Sequence, residues 1–239
     1  MSTFMGPEFG SGKDLIFYFD SANTKSYTSG TTTMYNLGSS TSYDMQFSVA
    51  PTYNSSNLGT LGFNGSTMKG TINGITHPFD TDYAFTLQTW VYIPTGASWS
   101  NGFYSNIIGR GDYTGFVGIV RSSLQNQIHA VIRSQYMIKS LSTTMDSDSW
   151  NQLTMTMDLA GTLSLYKNGT LEGSIVTGFT YSTYDNAAPY TLAGALAISG
   201  SIGNTMSGNV SIIGLWSKSL TAQEVSKTYN TTKTRFGHV

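Results

Sequence analysis

Carboxylates and imidazoles are the groups in this sequence that could move protons or attack a substrate. Cleaving a glycosidic bond takes two carboxyl groups roughly 5–10 Å apart, one as acid and one as nucleophile or base. The glutamates stand far from one another: Glu8 in a Gly-rich opening, Glu172 beside a hairpin and Glu224 at a helix start. Asp80 and Asp82, and again Asp146 and Asp148, are two residues apart, a spacing that puts both side chains on one face of a strand. Each pair lies in a Ser/Thr-rich turn segment, where Asp bonds nearby backbone, and that turn role is the one expected. His77, His129 and His238 are widely separated and show no H-E-x-x-H spacing. With 0 Cys there is no thiolate nucleophile, disulfide or Cys-based zinc site. These residues predict a protein that is not an enzyme. The alternative is a glycoside hydrolase-like site assembled in space.

Recognition is the other chemistry in view. Sugar-binding surfaces pair aromatic rings, which stack on apolar sugar faces, with hydroxyl and amide groups that bond the sugar hydroxyls. Two stretches have that composition, Trp99 to Tyr104 and Phe179 to Asn186, and both are long for connections in a compact domain. Trp99, Phe103, Tyr104, Tyr181, Tyr184 and Asn186 are therefore the candidate carbohydrate-binding residues. The same aromatics would also serve to cover the ends of the fold or to build a subunit interface. The sequence leaves both readings open.

Composition bounds what positions these groups. Charged residues make up 10% of the 239, well under the roughly 25% of ordinary soluble proteins. Ser, Thr, Gly and Asn supply the polar surface instead, and 39% hydrophobic with 13% aromatic residues is enough for a packed core. A net charge of −1 offers no long-range attraction to nucleic acid or to an anionic membrane. No apolar run approaches the length of a membrane-spanning helix. The N-terminus lacks the basic and apolar regions of a secretion signal. That predicts a protein kept in the cytosol, or one assembled there and released with a particle.

The elements read as short strands. Asp14–Asp20 opens, and a turn-rich stretch and the segment Thr31–Leu37 follow. Further strands are expected at Asp44–Val49, Thr60–Asn64, Met68–Ile72, Ile107-Ile108, Phe116–Val120, Tyr190–Ile198 and Ile128–Arg133, where Ile128, Ala130 and Ile132 alternate with His129, Val131 and Arg133. In Tyr83–Ile93, Phe85, Leu87, Val91 and Ile93 point one way and Trp90 and Tyr92 the other. Trp150–Leu159 alternates, with Leu153, Met155, Met157 and Leu159 expected inward. Thr162–Lys167, Asn168-Gly169 and Thr170–Val176 form the strongest hairpin signal, because Asn-Gly supplies the positive φ of a type I′ turn. Near the end, Val210 to Trp216 is apolar on both faces, as a central strand covered from two sides requires. It runs into one helix, where Thr221 and Glu224 make a capping box and Val225 and Tyr229 an apolar stripe. The expectation is an all-β protein: an antiparallel two-sheet jelly-roll sandwich with one short C-terminal helix. Residues 14–239 form the domain and residues 1–13 a Gly-rich N-terminal arm, in which Gly-Pro-Glu-Phe and Gly-Ser-Gly also read as a cloning scar.

Several of these stretches carry a likeness. The end "LWSKSLTAQEVSKTYN…TTKTRFG", the hairpin "LSLYKNGTLEGS" and the opening "FDSANTKSYTSGTTTMYNLGSS" resemble the laminin-G-like domains of the concanavalin A-like lectin/glucanase superfamily. The versions in marine bacteriophage structural proteins are the most similar. Two positions depart from that pattern: Met34 stands where Trp is usual and Asn36 where Asp is usual. The resemblance implies a concanavalin A-like sandwich and a virion structural or capsid-decoration protein. Such a protein would meet other virion proteins through the arm and tail, adhere to host-surface polysaccharide, and form a homo-oligomer. A cement protein without ligand is the plainer version. The Glu-x-Asp-x-x-Glu strand pattern of the superfamily's glycosidases is missing. Asp112, after Gly111, stands where laminin-G domains hold an acidic calcium ligand, so the resemblance implies calcium there.

Overall fold

The computed structural model describes residues 14–38, 42–75, 84–97, 104–111, 115–122, 127–133, 138–178, 189–196, 202–203 and 205–239. In chain order the strands are β1 (Leu15–Asp20), β2 (Thr33–Met34), β3 (Met45–Phe47), β4 (Thr52–Asn54), β5 (Thr60–Asn64), β6 (Gly70–Ile72), β7 (Phe85–Tyr92), β8 (Tyr104–Gly111) and β9 (Phe116–Ser122). They continue with β10 (Gln127–Arg133), β11 (Ile138–Thr144), β12 (Trp150–Met157), β13 (Thr162–Lys167), β14 (Thr170–Val176), β15 (Tyr190–Leu192), β16 (Ala195–Leu196), β17 (Ile202–Gly203) and β18 (Ser207–Trp216). One α-helix, α1 (Ala222–Thr232), runs into a 3-10 turn at Lys233–Phe236.

The strands form two antiparallel eight-stranded sheets and one small β16–β17 pair. The first sheet has the order β14-β13-β12-β7-β18-β5-β4, and β1 also pairs with β18. The second has the order β11-β10-β9-β8-β15-β6-β3-β2. The expected jelly-roll sandwich is what forms. Its core lies between the sheets, where Phe17, Phe85, Leu87, Val91, Leu153 and Met155 from the first meet Met45, Ile72, Ile108, Ile119, Ile132 and Tyr190 from the second. Burying a large apolar side chain contributes about 1.5–3 kcal/mol before conformational entropy is counted.

The first sheet is covered on its other face too, which explains why β18 carries apolar residues on both faces. Tyr18, Trp90, Trp150, Ile212 and Phe236 pack together there under the C-terminal segment. Trp90 is fully buried, its ring stacked on Phe236 at 4.2 Å between centroids. The capping box forms as expected: Thr221 Oγ1 accepts from the Glu224 N–H, and Glu224 Oε2 accepts from the Thr221 N–H at 2.8 Å. The helix is fastened by hydroxyls as well as by grease. Gln88 Nε2 donates to Thr228 Oγ1 at 2.7 Å, and Trp90 Nε1 donates to Thr232 Oγ1 at 3.0 Å.

Three expectations are corrected. Leu159 does not face inward: β12 ends at Met157, and Leu159 sits in the following turn with 71% of its surface exposed. The tail beyond residue 230 is not left over for neighbours, because Phe236 is buried and Arg235 is bound within the fold. Strands β2, β4, β11 and β17 add to those expected. Of these, β4 and β11 lie at sheet edges with mostly exposed, hydroxyl-rich side chains, so neither has an apolar alternation to reveal it.

Candidate functional site

Every carboxylate among the described residues is engaged in holding the fold. Asp20 accepts from Arg235 Nη1 at 2.7 Å, and Asp44 Oδ1 from the Asn36 N–H at 2.9 Å. Asp158 Oδ1 accepts from the Thr162 N–H at 2.7 Å, and Glu172 Oε2 from Thr143 Oγ1 at 2.7 Å. Lys218 Nζ lies 2.8 Å from Glu224 and 4.0 Å from Asp14. Asp146 and Asp148 do not act as a pair. Asp146 meets Lys167 Nζ at 3.4 Å, while Asp148 accepts from the Thr95 hydroxyl at 2.6 Å and the Thr95 N–H at 2.9 Å. The Thr95 hydroxyl, followed by its N–H, holds the Asp148 carboxyl below the usual carboxylate range. Among the described residues no three His, Asp or Glu side chains gather to hold a metal ion. His129 lies on β10 with its pKa pushed down by burial, and His238 is bonded to Tyr229 and to the Trp150 carbonyl.

Most residues singled out for recognition fall outside the described residues: Trp99, Phe103, Tyr181, Tyr184, Asn186 and the calcium candidate Asp112, as do Asp80 and Asp82. Their anchors are defined. Tyr104 is the first residue of β8 and pairs with Ser122. Tyr190, the first residue of β15, pairs with Arg110 near the other end of β8. At about 3.4 Å per residue the two anchors are roughly 20 Å apart. The two aromatic stretches thus join the scaffold at opposite ends of β8. Asp112 follows Gly111, at the same end as Tyr190.

One site emerges that sequence reasoning did not name. Tyr35 is an aromatic side chain with 54% of its surface exposed. It follows β2 at the edge of the second sheet. Met34, Met45 and Ile72 form one cross-strand row into the core, so the alternating residues face outward. The outward row is Thr33, Gln46 and Thr71, and the residues one step beyond the core row are Tyr35, Asp44 and Asn73. Thr33 Oγ1 donates to Gln46 Oε1 at 3.0 Å, on an exposed face. Asn73 is exposed, and neither its amide nor the Tyr35 hydroxyl has a hydrogen-bond partner among the described residues. A ring with a hydroxyl and two side-chain amides therefore shares one face of three adjacent strands. The signal was present as Thr33-Met34-Tyr35, a polar–apolar–aromatic alternation, but three residues in a turn-rich stretch do not announce a strand.

The likeness to known proteins can now be set on this geometry. Among curated proteins no sequence matches the chain. Its backbone is similar to the binding domain of Paraclostridial Mosquitocidal Protein 1, with TM-score 0.71 and 14% identity over 95% of this chain and 56% of that one. It is also similar to the botulinum neurotoxin serotype D binding domain, with TM-score 0.67 and 13% identity over 92% of this chain and 52% of that one. The binding domain of botulinum neurotoxin DC, solved in complex with rat synaptotagmin II, gives TM-score 0.65 and 14% identity over 92% and 52%. The chain spans about half the length of these domains, and at such identity the likeness concerns the fold. Residues 64–226 match the Laminin_G_3 family, described as the Concanavalin A-like lectin/glucanases superfamily, and the chain belongs to that family.

Proposed function

We propose that the chain is a non-enzymatic binding module whose ligand is a surface glycan, taken up on the outward face around Tyr35. The exposed Tyr35 ring beside the Gln46 and Asn73 amides carries the reading, because stacking and amide bonding are what a sugar ring requires. The commitment of every described carboxylate to the fold supports the non-enzymatic part. The toxin domains of similar fold are themselves binding domains, which supports a ligand displayed on a surface.

The finer parts rest on the sequence likeness to phage structural proteins. They are display on a virion, attachment through residues 1–13 to other virion proteins, homo-oligomerisation, and calcium on Asp112. The aromatic stretches at Trp99 to Tyr104 and at Tyr181 to Asn186 are the competing glycan contacts.

A glycan array, run with calcium and with a chelator, tests the glycan and calcium parts. Tyr35→Ala is expected to weaken binding about tenfold or more, as truncating a central aromatic anchor does. Binding that survives Tyr35→Ala but is lost in Trp99→Ala or Tyr181→Ala moves the site to those stretches. A blank array favours a structural module without ligand. Polysaccharide cleavage abolished by Asp80→Asn or Asp112→Asn would overturn the non-enzymatic part, and binding unchanged by the chelator would remove calcium from it.

A further inference from the structure

The geometry points to Asn73 as a site of spontaneous covalent modification, deamidation to aspartate or isoaspartate. The sequence contains four Asn-Gly pairs, at Asn64, Asn73, Asn101 and Asn168, and the structure treats them differently. In such a pair the glycine backbone nitrogen, once its proton passes to hydroxide, attacks the asparagine Cγ. A carbon–nitrogen bond forms, the side-chain nitrogen leaves as ammonia, and water opens the resulting five-membered imide at either carbonyl. The step requires a side-chain amide free to rotate and a backbone N–H not already engaged.

Two of the pairs fail that requirement. Asn64 Oδ1 accepts from the Ser66 and Thr67 N–H groups, each at 3.0 Å, and its Nδ2 donates to Thr67 Oγ1 at 3.0 Å. The attacking nitrogen there, the Gly65 N–H, donates to the Met206 carbonyl at 3.0 Å. Asn168 Oδ1 accepts from the Gln152 N–H at 2.8 Å, while the Asn168 N–H donates to the Gln152 carbonyl at 2.8 Å. The Tyr229 side chain lies against Gly169, 3.0–3.1 Å from where a side chain would begin. Asn101 is outside the described residues.

Asn73-Gly74 meets the requirement. Both residues are exposed, between the buried Ile72 and Ile75. Gly74 has φ +77 and open space where a side chain would stand. Among the described residues no hydrogen bond holds the Asn73 amide or the Gly74 N–H. Modification replaces one of the two amides beside Tyr35 with a carboxylate, one strand over from Asp44. The chemistry itself does not depend on the glycan reading, and its readout is mass rather than binding.

The test is peptide mapping by mass spectrometry after incubating the full chain at mildly alkaline pH, folded and in urea. In the folded chain Asn73 is expected to convert about tenfold or more faster than Asn64 and Asn168, whose reaction must first break hydrogen bonds. In urea the three rates converge. Asn73→Gln removes the product, and Gly74→Ala slows its formation, with circular dichroism confirming that both variants fold. Conversion at Asn64 or Asn168 as fast as at Asn73 in the folded chain overturns the assignment. So does a folded-state ranking identical to that in urea.

Discussion

Asn36 shows how much one atom decides. It stands where the sequence resemblance leads one to expect Asp, and the structure gives the amide a task that a carboxylate cannot perform. Its Oδ1 accepts from the Tyr18 N–H at 2.9 Å and the Gly38 N–H at 2.8 Å, while its Nδ2 donates to the Ile16 carbonyl at 3.2 Å. The side chain thus imitates a neighbouring strand along the outer edge of β1. Asn36→Asp keeps both acceptor bonds but turns the donor into an oxygen facing a carbonyl. A loss of about 1 kcal/mol is expected from urea unfolding, the low end of the cost of an unpaired acceptor because the site is half-buried. His129 gives the pH dependence at this scale. Burial depresses its folded pKa below the ordinary 6.5, so the folded state binds fewer protons than the unfolded chain as pH falls. Its contribution is intact above about pH 6.5 and is lost progressively below it. In His129→Gln the melting temperature is expected to vary less between pH 7 and pH 5 than in the parent. Neither role was legible in the sequence, because both depend on which strand comes to lie beside the residue.

At the level of elements, local signals were read well and edge signals poorly. The Asn168-Gly169 turn has both φ values positive, 51 and 76, as its residue types dictate. The helix cap follows equally from four consecutive residues. The inward and outward sets of β7 and β10 follow from alternation alone, since a buried face must be apolar at every second position. Strand β11 could not be seen this way: its burial alternates between exposed and half-buried, and the residue it does bury is Thr143. Nor could the outward threonines of β12 be recognised as covered: Thr154 and Thr156 are buried, and Thr154 bonds the Gln88 amide that also reaches Thr228 of α1. The union of helix and sheet rests on Phe236, placed between Trp90 and Trp150 at 4.2 and 4.9 Å. Phe236→Ala is expected to cost about 3–5 kcal/mol in urea unfolding, with tryptophan emission shifted to the red as Trp90 meets water.

Across the whole molecule the contacts that matter join distant parts of the chain. β1 and β5 lie end to end along one edge of β18, with Leu15–Asp20 against Ile212–Trp216 and Leu61–Asn64 against Ser207–Val210. Arg235 ties the same region: Nη1 donates to Asp20 at 2.7 Å, Nε to the Asn57 carbonyl at 2.7 Å, and Nη2 to the Gly59 carbonyl at 2.9 Å and to Ser211 Oγ. Arg235→Leu is expected to raise hydrogen exchange in β1 selectively, leaving β12 and β13 protected, as mass-resolved exchange would show. The two-sheet plan was legible because strand count and alternation limit the choices. The ends at which the recognition stretches leave the scaffold were not, because that depends on the register of strands far apart in sequence.

Arg235 also sets an order of events during synthesis. As the polypeptide leaves the ribosome, the first strand emerges some two hundred residues before the guanidinium that will lock it. Until residues 212–236 are extruded, β1 has no hydrogen-bonding neighbour in β18, and the indole of Trp90 has no lid. The nascent protein must therefore travel with an open seam along its first sheet, a natural landing place for a chaperone.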